Sequence, residues 1–578
     1  MPSVVFLVFR RMRAPLILLI AIYAIAVLGF SLIPGVDAAG RATAPMSFFH
    51  AFYFVSYTAT TIGFGEIPAT FGDAQRMWTT VTIYLAVVGW SFLVFTLLGL
   101  AQDRAFQHAI ATGRFERQVR RMSEPFYLLC GCGETGAHLL RALDQLRIRC
   151  VVVDISPERI EELDLEDLTG DVPAIAGDAR SPQLLERAGL THRMCRGALA
   201  LTNDDGANLA VAATARLLNA DLPVIARAQA PKTAANMTSF GTRHVINPFE
   251  KFADYMRLAM REPSCYHLLD WLLALPGTRL RTERTPPRGD WVICGHGRFG
   301  SAVRARLAAE GVPTRIVDPD PAVDPGPDVI TGVGTEASVL ESAGVRHAEG
   351  LVAGTDDDIT NLAIAVTARE INPEVFLALR QNQAANRRLF QGVEPDLLMV
   401  ASEIIAHECF ALLTAPLLGR FLRVVHGQRD AWARELIAAL QKNVGEHAPD
   451  LWSVRMDRAN APALVQRLTE AKQRTTLADL MRDPLDRERT LACLPLLMVR
   501  ADGAEVVLPD PGEELRAMHA VLFASTQAAR SRIEFTLRNL NELEYVCTGE
   551  DRRGGWLGKW LAGLARRGAA RTRAKIPG

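Results

Sequence analysis

Two long apolar runs near the N-terminus limit what this 578-residue chain can become. Ala14 to Ile33 is a run of twenty residues without a charge. At a helical rise of about 1.5 Å per residue it covers a hydrocarbon core of about 30 Å. A second run, Met77 to Ala101, is also long enough to cross. Arg10, Arg11 and Arg13 flank the first run with no acid among the first thirteen residues, and Arg104 and Arg114 follow the second. The positive-inside rule then places the N-terminus, and the chain beyond the second run, in the cytoplasm. A signal peptide shares the basic flank, but the run is long and no small-residue cleavage site precedes a secreted domain.

Between the runs, Pro45 to Tyr57 is rich in aromatic residues (Phe48, Phe49, Phe52, Tyr53, Phe54, Tyr57) and too short to cross, with Ser47 as a cap. It reads as a re-entrant helix whose C-terminal end, partly negative, points toward an ion path. Thr60-Thr61-Ile62-Gly63-Phe64-Gly65-Glu66 follows. A dehydrated cation needs oxygens to replace its water shell, and stacked backbone carbonyls above a threonine hydroxyl supply them. Carbonyls can all face one axis only if alternate residues take dihedrals that glycine adopts cheaply, and Gly63 and Gly65 are two apart. The stretch resembles the selectivity filter of potassium channels, TVGYG followed by aspartate, with Ile62, Phe64 and Glu66 as departures; Phe64 removes a hydroxyl that could brace the filter. The resemblance implies a filter of Thr61, Ile62, Gly63, Phe64 and Gly65, potassium as the permeant ion, and a homotetramer in the lipid of the inner membrane with both termini cytoplasmic. Gly89 and Gly99 interrupt the second run. Gly89 is the candidate gating hinge, with close helix packing as the alternative.

From Phe126 the chain repeats itself. Phe126 to Cys130 is a buried-strand run leading into Gly131-x-Gly133-x-x-Gly136, and Val151-Val-Val-Asp154 ends the next strand. Trp291 to Cys294, Gly295-x-Gly297-x-x-Gly300 and Arg315-Ile-Val-Asp318 do the same, the acid again lying 18 positions after the third glycine. Leu184 to Leu190 answers Val339 to Val345, and Thr202-Asn-Asp-Asp205 with Asn208 answers Thr355-Asp-Asp-Asp358 with Asn361. One such glycine motif is weak evidence; two in register within matching strand and helix patterns are strong. Glycines let backbone approach a pyrophosphate, the helix N-terminus favours its charge, and the acid accepts ribose hydroxyls. Doubly wound parallel sheets follow.

Two such units after a pore resemble the tandem RCK domains of potassium channels, Rossmann-type folds akin to the TrkA-N domains of potassium-uptake regulators. The resemblance implies NAD or an adenine nucleotide as regulatory ligand, held by Gly131, Gly133, Gly136, Asp154 and Asp178 in the first unit and by Gly295, Gly297, Arg298, Gly300 and Asp318 in the second. Asp178 matches the family's GDA element, which Gly332-Val-Gly334 replaces in the second unit. Glu134 stands where many relatives carry arginine, and an acid there would repel phosphate. Prolines at 319, 321, 325 and 327 shorten or remove the helix expected after Asp318.

The expected organisation is a helical membrane pore domain at 1–105, a linker at 106–125, a first RCK domain at 126–275 with crossover helices, a linker at 276–290, a second RCK domain at 291–425, a C-terminal RCK-like lobe at 426–548 and a basic tail at 549–578. Nine cysteines without a CxxC pair indicate buried thiols rather than a zinc or disulfide framework. Basic and acidic residues balance at 64 each, so bulk charge names no partner and no nucleic acid is expected. Acidic clusters at Glu161-Glu162, Asp164 and Glu166-Asp167, and at Asp356 to Asp358, could hold calcium, although a solvated face or turn is the commoner meaning. The reading is a ligand-gated potassium channel subunit and not an enzyme. A membrane-tethered nicotinamide oxidoreductase is the alternative, but nothing resembling a hydride-transfer site accompanies the glycine loops. A third reading, the regulatory subunit of a separate transporter, is made redundant by the filter in the same chain.

Overall fold

The computed structural model describes residues 4–36, 41–67, 70–274, 277, 279, 284–320, 328–470 and 473–550. The basic tail from Arg552, the prolines at 321, 325 and 327, and residues 280–283 of the linker fall outside them. The chain divides into two compact units, Met1–Arg121 and Met122–Gly578.

In the first unit, helices Val4–Leu32 and Asp73–Ala101 are both long and apolar enough to cross a membrane. Between them stands a short helix, Phe48–Ala59, whose first turn is capped by Ser47 accepting from the His50 amide. The three helices meet in a small aromatic core in which Phe30 packs edge-on against Phe54 at 4.9 Å, and Phe71 closes the same cluster. Gly29 permits this approach, because a Cβ there would lie 2.1 Å from the Trp78 ring, whose indole nitrogen donates to the Ala26 carbonyl at 3.1 Å. Gly89 sits inside an unbroken helix, and its missing side chain makes room for Ile22, 2.8 Å from where a Cβ would be. That is the close-packing role. A fourth helix, Arg104–Arg120, fills most of the expected linker; it restarts after a break at Gln102 and Asp103, with Asp103 capping Phe106 and paired to Arg11 at 2.6 Å.

The second unit contains two six-stranded parallel sheets. The first comprises β1 (Phe126–Cys130), β2 (Arg149–Asp154), β3 (Ala174–Ala176), β4 (Cys195–Ala200), β5 (Val224–Arg227) and β6 (His244–Ile246), in the order β3-β2-β1-β4-β5-β6. The second, β7 (Trp291–Cys294), β8 (Thr314–Asp318), β9 (Val329–Thr331), β10 (Gly350–Ala353), β11 (Phe376–Gln381) and β12 (Leu397–Val400), repeats that order as β9-β8-β7-β10-β11-β12. This is the doubly wound Rossmann order, which reverses direction at the first strand of each sheet. The repeat extends to single atoms. Asn208 accepts from the Thr202 amide and donates to the Thr202 and Arg227 carbonyls; Asn361 does the same for Thr355 and Arg380.

The two sheets exchange helices. Pro248–Arg261, which follows β6, packs through Phe249, Phe252 and Met256 against helix Arg298–Ala309 of the second sheet, where Arg306 pairs with Asp254 and Glu250 at 2.7 and 2.8 Å. Reciprocally, Ala401–Thr414, which follows β12, packs Ile405, Ala406 and Cys409 onto Leu139 and Leu143 of helix Glu134–Gln145. The two crossing helices are tied by Glu408, which accepts from Lys251 at 2.9 Å and from the Tyr255 hydroxyl at 2.6 Å. Burial, with that carboxylate beside it, holds the Tyr255 hydroxyl well above its ordinary pKa.

The remaining lobe is a four-stranded antiparallel sheet in the order Asp450–Arg455, Ala520–Ser525, Cys493–Val499, Glu505–Val507. Alternate residues serve two cores: Leu522 and Ala524 face Leu268, Phe421 and Leu436, whereas Val521 and Phe523 face Leu464, Ile533 and Leu543.

Both buried asparagines hold backbone groups that water cannot reach. Asn208→Ala and Asn361→Ala are each expected to destabilise the chain by about 1–3 kcal/mol. Thermal unfolding of the purified chain checks this, and the two losses should be similar because the contacts are.

Candidate functional site

The filter stretch begins where the re-entrant helix runs out. Thr61 and Ile62 donate their amides to the Thr58 and Tyr57 carbonyls at 3.1 and 2.9 Å. Beyond this, Thr61, Gly63 and Gly65 all have positive φ, at 61°, 69° and 90°, with Ile62 and Phe64 between them outside that region. This alternation of hands is the backbone pattern that a row of carbonyls facing one side requires. Nothing lies within 4 Å of a Cβ built on Gly63 or Gly65, so glycine is required there for its dihedral and not for space. Thr61 holds the same hand with a β-branched side chain, a strained conformation that nothing in the sequence announces. The Gly65 carbonyl is taken by the Tyr57 hydroxyl at 2.6 Å, so Gly65 contributes its backbone hand and not a fifth carbonyl.

The glycine loop of the first sheet opens onto a cavity of about 720 Å³. Gly131 has φ 97°, and a Cβ there would lie 2.7 Å from the Thr202 amide nitrogen; one on Gly136 would lie 2.1 Å from the Gly131 carbonyl. These glycines fit helix to strand, while Gly133 leaves its face to the Arg159 guanidinium, 3.3 Å from a Cβ position. Asp154 is 3% exposed. It accepts from the Cys132 and Ser156 amides at 2.5 and 2.9 Å and lies 3.6 Å from Arg159. The carboxylate therefore clamps the loop as well as facing the cavity. Asp178 lines the same cavity.

Glu134 does not oppose a phosphate alone. Its carboxylate accepts from the Ala384 amide at 2.9 Å, and Arg159, Arg180 and Arg227 line the cavity. Arg180 pairs with Asp204 across the mouth, and Arg227 is 7% exposed with its guanidinium on the Asn203 side chain at 2.5 Å. Asn382, Gln383, Ala401 and Ser402, supplied by the second repeat, complete the wall. The sequence motif contains none of these residues. Arg159 could have been noticed five positions after Asp154, and Arg180 two positions after Asp178; Arg227 ends a strand and the residues of the second repeat are brought near only by folding.

In the second repeat, Gly295 has φ 93° and a Cβ on Gly300 would lie 1.9 Å from the Gly295 carbonyl, whereas Gly297 faces open space. Asp318 accepts from the His296 and Asp320 amides at 2.7 and 3.0 Å, as Asp154 does in its loop. Arg298, expected to meet phosphate, lies 5.9 Å from the centre of the Phe249 ring, and Arg380 lies 5.0 Å from it. Ser402, at the matching position of the other crossing helix, lines the first cavity, whereas Phe249 packs against Phe299 with ring centroids 6.0 Å apart.

The calcium reading fares poorly. Among the described residues no group of three His, Cys, Asp or Glu side chains is arranged to hold a metal ion. Glu166 pairs with Arg141, Asp357 caps the helix at Thr360, and Asp358 accepts from the Asn382 and Gln383 amides. The Cys130 and Cys132 thiols are pushed up to about 12 by burial, which removes them as nucleophiles.

A membrane pore segment with a carbonyl-lined loop, joined to two Rossmann-type repeats, is thus the class that fold and sites define. Residues 17–102 match the ion channel family, and residues 127–248 and 291–400 match the TrkA-N domain. The chain therefore joins an ion-channel domain to two TrkA-N domains. It is 22% identical to potassium channel protein 1 of Methanocaldococcus jannaschii over 35% of this chain and 59% of that one. It is 25% identical to probable potassium channel protein 2 of the same organism over 38% and 60%. An uncharacterised protein of Methanothermus fervidus is 27% identical over 34% of this chain and 30% of its own length. The matched stretch thus spans from 30% to 60% of these relatives. The solved GsuK channel is 18% identical, covering 93% of this chain and 99% of that one with a TM-score of 0.45. The fold assignment rests on strand order and not on that likeness.

Arg159 is the cation nearest the loop glycines. Arg159→Glu is expected to lower the affinity of the cavity for a polyphosphate anion such as pyrophosphate roughly tenfold, with the difference shrinking at high salt, as titration calorimetry on the full chain would record.

Proposed function

We propose that this chain is the subunit of a potassium-selective channel whose opening is controlled by an adenine nucleotide, NAD or a mononucleotide, bound at the glycine-loop cavity of the first TrkA-N domain. One subunit supplies one wall of the pore, so four copies surround the ion path in the inner membrane, with both termini cytoplasmic. The observation that carries this reading is the left-handed alternation at Thr61, Gly63 and Gly65 directly after a re-entrant helix, in a chain that also holds a Rossmann cavity lined by three arginines and a ribose acid. The potassium channels to which the chain is similar support it. The cavity offers shape and three cationic side chains for a phosphorylated ligand.

Nucleotide control needs only differential affinity for two states of the TrkA-N domains, and about 1.4 kcal/mol shifts an equilibrium tenfold. The helix Arg104–Arg120 is the covalent route from the second spanning helix to β1. A stiff helix transmits displacement where a coil absorbs it. Hinge motion at Gly89 is a further part of the proposal, compatible with its packing against Ile22 in one state.

In liposomes the wild-type chain is expected to pass potassium in preference to sodium. Gly63→Ala, which forces a side chain onto a positive φ, should abolish selective flux; selective flux that survives it rejects the filter. Inserting several Gly-Ser residues at Gly113 should leave ion selectivity and nucleotide affinity intact and reduce the nucleotide's effect on open probability. An unchanged response would reject the linker route and leave the channel reading in place.

A further inference from the structure

The outer end of the filter is gripped from two sides. Phe64 carries no hydroxyl, yet the chain has one at the place where the filter turns outward. Tyr57, on the last turns of the re-entrant helix and 4% exposed, donates its hydroxyl to the Gly65 carbonyl at 2.6 Å. Its ring is wedged between Phe54, Tyr53 and Phe64, with centroids at 5.2, 5.3 and 5.3 Å. Phe64 in turn lies nearly parallel to Tyr53, at 6.4 Å and 17°. One residue on, Glu66 accepts from the Phe71 amide at 2.9 Å and from Arg76 of the second spanning helix at 2.9 and 3.3 Å.

We infer that Tyr57 is a positioning residue of the filter, a buried hydroxyl on the helix before it that fixes the Gly65 peptide. The inference rests on the channel reading above. Four carbonyls facing one axis repel one another when no cation lies between them, and the cheapest relief is rotation of a peptide next to a glycine, whose dihedrals offer little resistance. Gly65, at φ 90° with open space around it, is such a place. The Tyr57 bond opposes rotation on one side of the peptide, and the Glu66 pair with Arg76 anchors the chain on the other. A neutral bond from a buried, ring-packed tyrosine is little affected by salt, whereas the exposed ion pair is screened. Tyr57 should therefore dominate at physiological ionic strength.

Tyr57→Phe keeps the ring and removes only the donor, so folding is retained. In planar bilayers the variant should conduct potassium but lose current roughly tenfold faster than wild type when external potassium is lowered, with a raised sodium permeability relative to potassium. Hydrogen exchange of the amides from Ile62 to Ile67 in the detergent-solubilised chain gives a readout independent of conduction, and Tyr57→Phe should raise it roughly tenfold with no change in the thermal midpoint. Equal exchange, or equal current decay, in Tyr57→Phe and wild type overturns the inference. Absence of potassium current in the wild type with raised exchange in the variant would instead reject the channel reading while the brace stands.

Discussion

Backbone that is neither helix nor sheet survives at membrane depth only where protein covers it or water reaches it, because each bare amide or carbonyl in hydrocarbon costs several kcal/mol. Residues 60–67 are such a segment, set between two helices long enough to cross. That requirement explains the arrangement around them. The re-entrant helix satisfies the first amides, Tyr57 and Arg76 hold the far end, and the carbonyls left over must face something that can coordinate them. One chain leaves Ile62 and Phe64 more than half exposed beside the loop, an apolar surface that further copies around a central path would cover.

The second unit solves a different problem with the same economy. Each Rossmann repeat ends in a helix that leaves its own sheet and packs on the other, so neither repeat has a complete core alone. Glu408, between Lys251 and Tyr255, ties the two crossings together. The exchange also makes the cavity composite: its glycine loop and acid belong to the first repeat, and Asn382, Gln383 and Ser402 to the second. A ligand there touches both, which gives its binding energy a way to alter their spacing. The repeats differ at this position, where Phe249 packs on Phe299 and Ser402 lines the cavity.

Much of this was legible in the sequence because the signals are ones that few other residues can imitate. Uncharged runs of twenty residues, glycines two apart after a threonine, and two glycine loops each followed 18 positions later by an aspartate all state a backbone or solvent requirement directly. What stayed hidden depended on distance along the chain or on conformation without a residue preference. Thr61 takes a left-handed dihedral that a β-branched residue disfavours, so its identity pointed the wrong way. Arg227 at a strand end and Asn382 in a loop of the second repeat reach the cavity from far along the chain, and Glu134, read alone, suggested repulsion where its carboxylate is turned to the Ala384 amide. The approach of Arg298 to Phe249 was hidden in the same way, because Phe249 lies 49 positions earlier and arrives on an exchanged helix. The acidic clusters, for which a solvated face or turn was the commoner meaning, serve in part in capping and ion pairing.

The central claim is that one chain contains both a potassium filter and the nucleotide cavity that controls it. The most direct measurement is the current through the purified full-length chain in a planar bilayer, with potassium on one side and sodium on the other, while NAD or ADP is added to the cytoplasmic face. The account predicts a reversal potential far on the potassium side at every nucleotide concentration, an open probability that shifts saturably with NAD or ADP, and loss of that shift, with the reversal potential unchanged, in Asp154→Ala. A reversal potential near zero, or an open probability indifferent to both nucleotides, would contradict it.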